Sequence, residues 1–137
     1  IGAGAFFAFA PGIAERSIHQ VHELIHTVFT QPAVAQAALQ ALMPQFSPEF
    51  NMVTTTGRLV GLDDVEQRFR RAAGQRPGLE ISVSDMQPVW RDTAGLAMRY
   101  LETHRLDGVE TSRRSVVILK RAGQGVLWHY LHETALG

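Results

Sequence analysis

The chain has 137 residues, of which 45% are hydrophobic and 19% are charged, as in an ordinary soluble globular domain. Thirteen basic residues balance thirteen acidic ones, so no excess charge favours nucleic acid or an anionic membrane as a partner. Cysteine is absent, which excludes disulfides and thiolate metal sites and is typical of the reducing cytoplasm. We therefore expect one cytoplasmic domain.

The first fourteen residues carry no charge and include Phe6, Phe7 and Phe9. They are too few to span a bilayer, and no basic segment precedes them as in a signal peptide. We predict a docking or partly ordered N-terminal arm over residues 1–12 and a single domain over residues 13–137. The alternative is a remnant of a targeting segment.

Three helices are predicted in the N-terminal half. Pro11-Gly12 is expected to end the arm, and apolar residues at three- and four-residue spacing from Ile18 to Phe29 then predict an amphipathic helix. Pro32 marks the start of an Ala-rich second helix that Pro44 ends. A third helix follows Gly61, with acidic residues in its first turn and arginines near its end, as the helix dipole favours.

The sequence between the second and third helices predicts a strand around Ser47-Pro48. From Leu79 onward, apolar residues alternate with polar ones, which predicts an antiparallel meander. Its turns lie at Asp92-Thr93, at Asp107-Gly108 and at residues 122–125, and Asp-Gly is a strong hairpin signal. The four predicted strands span residues 79–91, 94–106, 109–121 and 126–135.

Counting residues back from each turn assigns the two faces of this sheet. The pairs that the simplest register predicts are Tyr100 with Asp85 and with Ser115, Glu102 with Arg113, His104 with Thr111, and His132 beside Ser115. Trp128 and Tyr130 continue the same face, which mixes aromatic rings with polar groups as ligand cavities do. The opposite face is mostly aliphatic with scattered charge. A β-bulge would exchange the two faces beyond it.

Two segments carry a resemblance to a known family. Residues 46–69, which read FSPEFNMVTTTGRLVGLDDVEQRF, resemble the strand, Gly-Arg turn and helix of the NTF2-like superfamily, especially its SnoaL-like and DUF4440-type members. The last strand, with WHYLH at residues 128–132, resembles that family's final strand. The resemblance implies an α+β cone in which three N-terminal helices pack on a curved, mainly antiparallel sheet around a cavity, and it implies frequent homodimers. It does not fix an activity.

One string matches a zinc-protease motif. His22-Glu23-Leu24-Ile25-His26 reads H-E-x-x-H, in which two histidines on one helical face bind zinc while the glutamate activates water. The extended motif fails because Pro32 stands where a third histidine belongs. His19 is a helical neighbour that such a metal site could include. The plainer interpretation is a polar or cavity-edge helix face, and we predict no bound cofactor.

The mixed sheet face suggests acid–base chemistry. Asp85, Glu102 and His132 are candidates for proton transfer, because a histidine beside a carboxylate in an apolar cavity can act as an acid or base near neutral pH. The residues predicted to line the ligand cavity are Tyr100, His104, Trp128, Tyr130 and His132. The plain alternative is that these polar groups satisfy one another in a half-buried sheet.

Three functions follow from these patterns. The first is a homodimer whose cone binds a small, largely apolar carbonyl or carboxylate compound, with isomerase, dehydratase or cyclase chemistry. The second is a non-catalytic dimeric assembly module that uses the aliphatic sheet face. The third is zinc-dependent hydrolysis at His22 and His26.

Overall fold

The computed structural model describes residues 9–137, which form three α-helices and six β-strands. In chain order the elements are α1 Pro11–Thr30, α2 Ala35–Leu42, a single 3-10 turn Met43–Gln45, β1 Phe46–Val53, β2 Leu59–Gly61, α3 Leu62–Ala72, β3 Glu80–Arg91, β4 Gly95–Leu106, β5 Val109–Ala122 and β6 Gly125–Leu136. The predicted α+β class and the order of helices and long strands are confirmed. The short strand β2 was not predicted.

Helix α1 begins at Pro11, two residues before the predicted start of the domain at residue 13. Proline lacks only an N–H that is unpaired in the first helical turn anyway, which makes it a suitable first residue. Phe9 is buried, and its N–H donates to the carbonyl oxygen of Asp92 at 2.7 Å. The rest of the predicted arm, residues 1–8, lies outside the described residues.

The six strands form one sheet in the order β2-β1-β6-β5-β4-β3. Strand β1 runs parallel to β6, and all other neighbours are antiparallel. The turn between β4 and β5 has positive φ at Asp107 (51°) and Gly108 (78°), as a tight hairpin of the type I′ class requires. The meander expected from the turn signals is confirmed.

The helices cover one face of this sheet, which we call the inner face. Its buried side chains include Met98, Tyr100, Val117, Leu119 and Trp128 from the central strands. They pack with Ile18, Val21 and Val28 from one side of α1, at the predicted helical spacing. The opposite, outer face of the sheet has no helix against it within residues 9–137.

The predicted register holds between β4 and β5 and fails at one point between β5 and β6. Tyr100 pairs with Ser115, Glu102 with Arg113 and His104 with Thr111, as expected. However, Leu119 pairs with Trp128 whereas Ile118 pairs with Tyr130, so His129 is an extra residue in a β-bulge. Beyond this bulge the faces of β6 exchange.

None of the helices in residues 9–137 combines the length and apolar character that a membrane crossing requires.

Candidate functional site

A cavity of about 360 Å³ lies between the inner face of the sheet and helices α1 and α3. Its size falls at the lower end of the range for small-molecule pockets. The side chains that line it are Val21, His22, Ile25 and Phe29 of α1, Phe46, Phe50 and Met52 of β1, Thr54, Thr55, Thr56 and Val60, Val65, Arg68 and Phe69 of α3, and Glu102, His104, Arg113, Trp128, Leu131 and Glu133 of the meander.

Aromatic rings build much of the apolar wall. Phe46 packs against Phe50 with ring centroids 4.7 Å apart and against Trp128 at 5.8 Å. Phe29 of α1 and Phe69 of α3 lie 6.0 Å apart. Trp128 keeps its ring on the cavity, because its indole N–H donates to Ser17 Oγ at 3.0 Å and fixes its orientation.

A buried carboxylate lies at the polar part of the cavity between two histidines. Glu102 Oε1 is 3.1 Å from His22 Nε2, and Glu102 Oε2 is 2.6 Å from His104 Nε2. All three side chains are buried, with 5–6% of each residue exposed. His22 belongs to α1 and the other two residues to β4, so this cluster joins the helix to the sheet.

The hydrogen-bond partners of His22 define its protonation state. Its Nδ1 lies 2.7 Å from the carbonyl oxygen of Ile18, and its Nε2 faces Glu102. Because a carbonyl and a carboxylate can only accept, both ring nitrogens must carry protons. Burial lowers the pKa of His22, but the hydrogen bond and charge of Glu102 outweigh it and raise that pKa above its ordinary value.

The pKa of Glu102 is shifted in the opposite direction. Burial alone would raise its pKa, but hydrogen bonds from His104 and His22, together with the charge of His22, hold the pKa of Glu102 well below its usual range. The carboxylate is therefore ionised, and His104 donates to it through Nε2. In the neutral imidazole, Nδ1 of His104 then carries a lone pair. That atom makes no hydrogen bond to any residue in 9–137, and His104 lines the cavity.

A second charged pair lies beside this cluster. Arg113 of β5 donates from one guanidinium nitrogen to Glu133 Oε1 of β6 at 3.3 Å, and Glu133 is buried. Burial raises the pKa of Glu133, and the charge of Glu102 raises it further against the opposing charge of Arg113. The cavity thus contains two carboxyl groups whose surroundings move their pKa values apart.

Tyr100 is on the inner face, as predicted, but it lies behind the cavity wall. Its side chain is fully buried and edge-on to His22, with ring centroids 5.5 Å apart. Burial raises its pKa well above the ordinary value, and the charges of Glu102 and Glu133 add to this effect. Tyr100 is therefore a neutral phenol that supports the cluster from behind.

The bulge at His129 overturns part of the predicted cavity lining. His132 pairs with Val116 instead of lying beside Ser115, and Tyr130 pairs with Ile118. Both side chains are on the outer face, where the Tyr130 hydroxyl is 3.2 Å from His132 Nδ1. The expectation that Tyr130 and His132 line the cavity is therefore wrong, as is the role of His132 in proton transfer there.

Asp85 is also absent from the cavity. It lies in a bulge of β3 between Ser84 and Gln87, with a positive φ of 54°. This local conformation turns its carboxylate outward, where it accepts a hydrogen bond from Arg114 at 2.7 Å. The predicted contact with Tyr100 and the proposed proton-transfer role of Asp85 are therefore wrong.

The H-E-x-x-H string does not form a zinc site in this geometry. His22 uses both ring nitrogens in hydrogen bonds, and His26 Nε2 is 2.7 Å from the carbonyl oxygen of Leu79. Glu23 is exposed. No group of three or more His, Cys, Asp or Glu side chains within residues 9–137 is arranged to hold a metal ion.

Sequence reasoning missed the roles of three cavity residues. From the sequence, His22 is predicted as a zinc ligand or as part of a polar or cavity-edge helix face, and Arg113 as a cross-strand partner of Glu102. Glu133 carries no prediction. The three-residue spacing from Trp128 to Leu131 was a usable signal. Both side chains can face the same core only if one residue between them is bulged.

Comparison with known proteins places these features in a family. A solved structure of an NTF2-like protein of unknown function, PA1314 from Pseudomonas aeruginosa, has 30% identity and a TM-score of 0.85, with 91% of this chain and 99% of that chain covered. The chain therefore belongs to the NTF2-like proteins. No protein-family model and no curated protein matches the sequence.

More distant structures share the fold alone. Aln2 from a Streptomyces species has 13% identity and a TM-score of 0.69, with 93% of each chain covered. The CaMKII hub homology domain from Chlamydomonas reinhardtii has 14% identity and a TM-score of 0.66, with 90% of this chain and 98% of that chain covered.

The buried cluster makes a prediction about stability. The change Glu102→Gln should lower the free energy of unfolding by about 3 kcal/mol, because it leaves the buried His22 without its ionised partner. The matched control is Glu110→Gln, which removes an exposed partner of Arg105 and should cost less than about 1 kcal/mol. Urea denaturation of the two variants checks this, and equal losses would contradict a buried ion pair.

Proposed function

We propose that the protein binds a small, largely apolar carbonyl compound in its cavity and transfers a proton on it. His104 would be the base, Glu133 the acid, and Glu102 and His22 the residues that position His104. The observation that carries this proposal is the 2.6 Å contact between Glu102 and His104, next to an aromatic cavity.

His104 is suited to accept a proton from carbon. The ionised Glu102 accepts the hydrogen bond from Nε2 and fixes the imidazole orientation, which leaves Nδ1 as the atom that can take the proton. His22 holds the carboxylate from the other side and keeps it ionised. A buried histidine held by an ionised carboxylate is one arrangement that serves general-base catalysis.

Glu133 is suited to donate the balancing proton. Its raised pKa keeps the protonated form available at higher pH than in an ordinary glutamate. When His104 removes a proton from the carbon beside a carbonyl, electrons move to the carbonyl oxygen, which takes the proton of Glu133 to give an enol. Return of a proton to another carbon gives isomerisation, and loss of a β-hydroxyl group gives dehydration.

We further propose a position within the family and a cellular location. Within the NTF2-like proteins we place the chain with the SnoaL-like and DUF4440-type members, which residues 46–69 resemble. The lack of cysteine supports a cytoplasmic location. Among the predicted ligand contacts, His104 and Trp128 line the cavity and remain part of the proposal.

Exchange of carbon-bound hydrogen tests the proposal. Benzylacetone is a small aromatic ketone, and NMR in D2O follows loss of the hydrogens beside its carbonyl. We expect the protein to accelerate this exchange and His104→Gln to slow it by about a hundredfold or more. The matched control, His132→Gln, removes a histidine on the outer face and should exchange at the wild-type rate.

Equal rates for His104→Gln and wild type would overturn the role of His104. A failure of the wild type to accelerate exchange, despite binding benzylacetone, would reduce the proposal to ligand binding. Intrinsic tryptophan fluorescence gives the binding measurement, read in a Trp90→Phe background so that only Trp128 in the cavity wall reports.

We also propose that the protein forms a homodimer through the outer face of the sheet. Half-exposed apolar side chains share this face, and Trp90 is 54% exposed at its edge. The apolar members are Leu101, Val116, Ile118, Leu127 and Tyr130. Apolar side chains exposed together on one sheet face are typical of an interaction site, and Arg99, Arg114 and Lys120 lie on the same face. The outer face thus supports the proposed dimeric assembly function, in which the cavity takes no part.

A charge at the centre of the outer face should separate the subunits. We expect Ile118→Arg to weaken the dimer by at least about tenfold, because it would bury an unpaired charge at the interface. The control Val109→Arg changes an apolar residue at a hairpin end. Native mass spectrometry over a dilution series measures both, and a dimer unchanged by Ile118→Arg would contradict this interface.

A further inference from the structure

One arginine lies among two carboxylates in the cavity. Arg113 pairs across the strands with Glu102 and makes a single 3.3 Å hydrogen bond with Glu133. Its side chain remains 28% exposed, whereas that of Glu133 is 9% exposed. A guanidinium has five N–H donors in a planar fork that fits a carboxylate through two parallel bonds. The contact with Glu133 uses little of this capacity.

The charges of the cavity balance without a ligand. The imidazolium of His22 offsets Glu102, and Arg113 offsets Glu133 when that residue is ionised. A carboxylate that entered the site would add one uncompensated negative charge in a partly desolvated space, which is costly. Uptake of one proton removes this cost. Glu133 can take up this proton. Its side chain is buried and faces Glu102, and it would lose its bond to Arg113.

We propose that the substrate carries a carboxylate that forms a bidentate pair with Arg113, and that Glu133, displaced from the arginine, takes up one proton from solvent. This inference rests on the proposed function and deepens it. Binding of the anionic substrate would itself protonate the acid that the reaction uses. The substrate class is then a small aryl or alkyl carboxylic acid that also bears a carbonyl or a conjugated double bond.

The charged groups around Glu133 determine the direction in which substrate binding shifts its pKa. The titratable or charged groups on the packed elements are His22 of α1, Arg68 of α3, Tyr100, Glu102 and His104 of β4, and Arg113 of β5. Arg68 is already paired with Asp64 at 3.2 Å. Pairing of Arg113 with a second nearby anion weakens the main influence that lowers the pKa of Glu133 and adds one that raises it.

The pH dependence follows from linkage. Above the pKa of Glu133 in the free protein, each carboxylate bound requires one proton, so affinity should fall by up to about tenfold per pH unit. A model carboxylic acid ligand, with a pKa of about 4, is itself ionised throughout this range. A neutral ligand of the same shape should show no such dependence, because it leaves Glu133 with Arg113.

Calorimetry with a matched ligand pair tests the proposal. Hydrocinnamate and hydrocinnamamide share size and shape and differ in charge, and each has a ring for the aromatic wall. At a pH of about 6 we expect hydrocinnamate to bind about tenfold or more tighter than the amide. Titrations in two buffers of different ionisation enthalpy should show uptake of close to one proton for hydrocinnamate at a pH of about 8 and none for the amide.

Two variants test the role of Arg113 and the proton uptake by Glu133 separately. Arg113→Gln should weaken hydrocinnamate by about tenfold to a hundredfold and leave the amide unchanged. Its control is Arg114→Gln, which removes an arginine on the outer face that is bonded to Asp85. Glu133→Gln imitates the protonated acid, and in the complex the substrate carboxylate pairs with Arg113. We expect it to abolish proton uptake and to remove the loss of hydrocinnamate affinity towards a pH of about 8.

The outcomes distinguish this inference from the function on which it rests. Equal binding of the two ligands, or normal proton uptake in Glu133→Gln, would overturn the inference, while benzylacetone exchange that depends on His104 would leave the proposed function standing. Binding of neither ligand would overturn the inference and, together with an absence of benzylacetone binding, the proposed function as well.

Discussion

The structure depends on one ionised carboxylate held inside the domain. Glu102 lies between His22 of α1 and His104 of β4, and an unpaired charge at such a buried position would cost several kcal/mol. The two histidines offset that cost and join the helical layer to the sheet at a fixed point. The same contacts order the imidazole of His104 towards the cavity, so the cluster that stabilises the polar interior also prepares the proposed base.

A single β-bulge determines which residues share this interior. The extra residue at His129 keeps Trp128 and Leu131 on the same face and brings Glu133 to Arg113. It also moves Tyr130 and His132 to the outer face. The sheet therefore has two different surfaces: an inner one that combines an aromatic cavity with buried ionisable groups, and an outer one that carries partly exposed apolar side chains.

The sequence was sufficient for most of the fold and for part of the site. Periodicity, proline positions and the Asp107-Gly108 turn predicted the order of the helices and long strands, because these signals act over a few residues. The pairing of Glu102 with Arg113 followed from hairpin counting. The contact of Glu102 with His22 could not be predicted, since eighty residues separate the two along the chain. Glu133 was missed because one bulge reverses every later assignment on its strand.

The protonation state of the two histidines tests this account most directly. Nitrogen-15 NMR of the imidazole rings at a pH of about 6.5, where an ordinary histidine is half protonated, reports which ring nitrogens carry hydrogen. The account predicts that His22 is mostly protonated on both nitrogens and that a proton on Nε2 of His104 bonds to Glu102. A His22 ring with one proton, unchanged on acidification through that pH, would mean that Glu102 is not the ionised centre of the site.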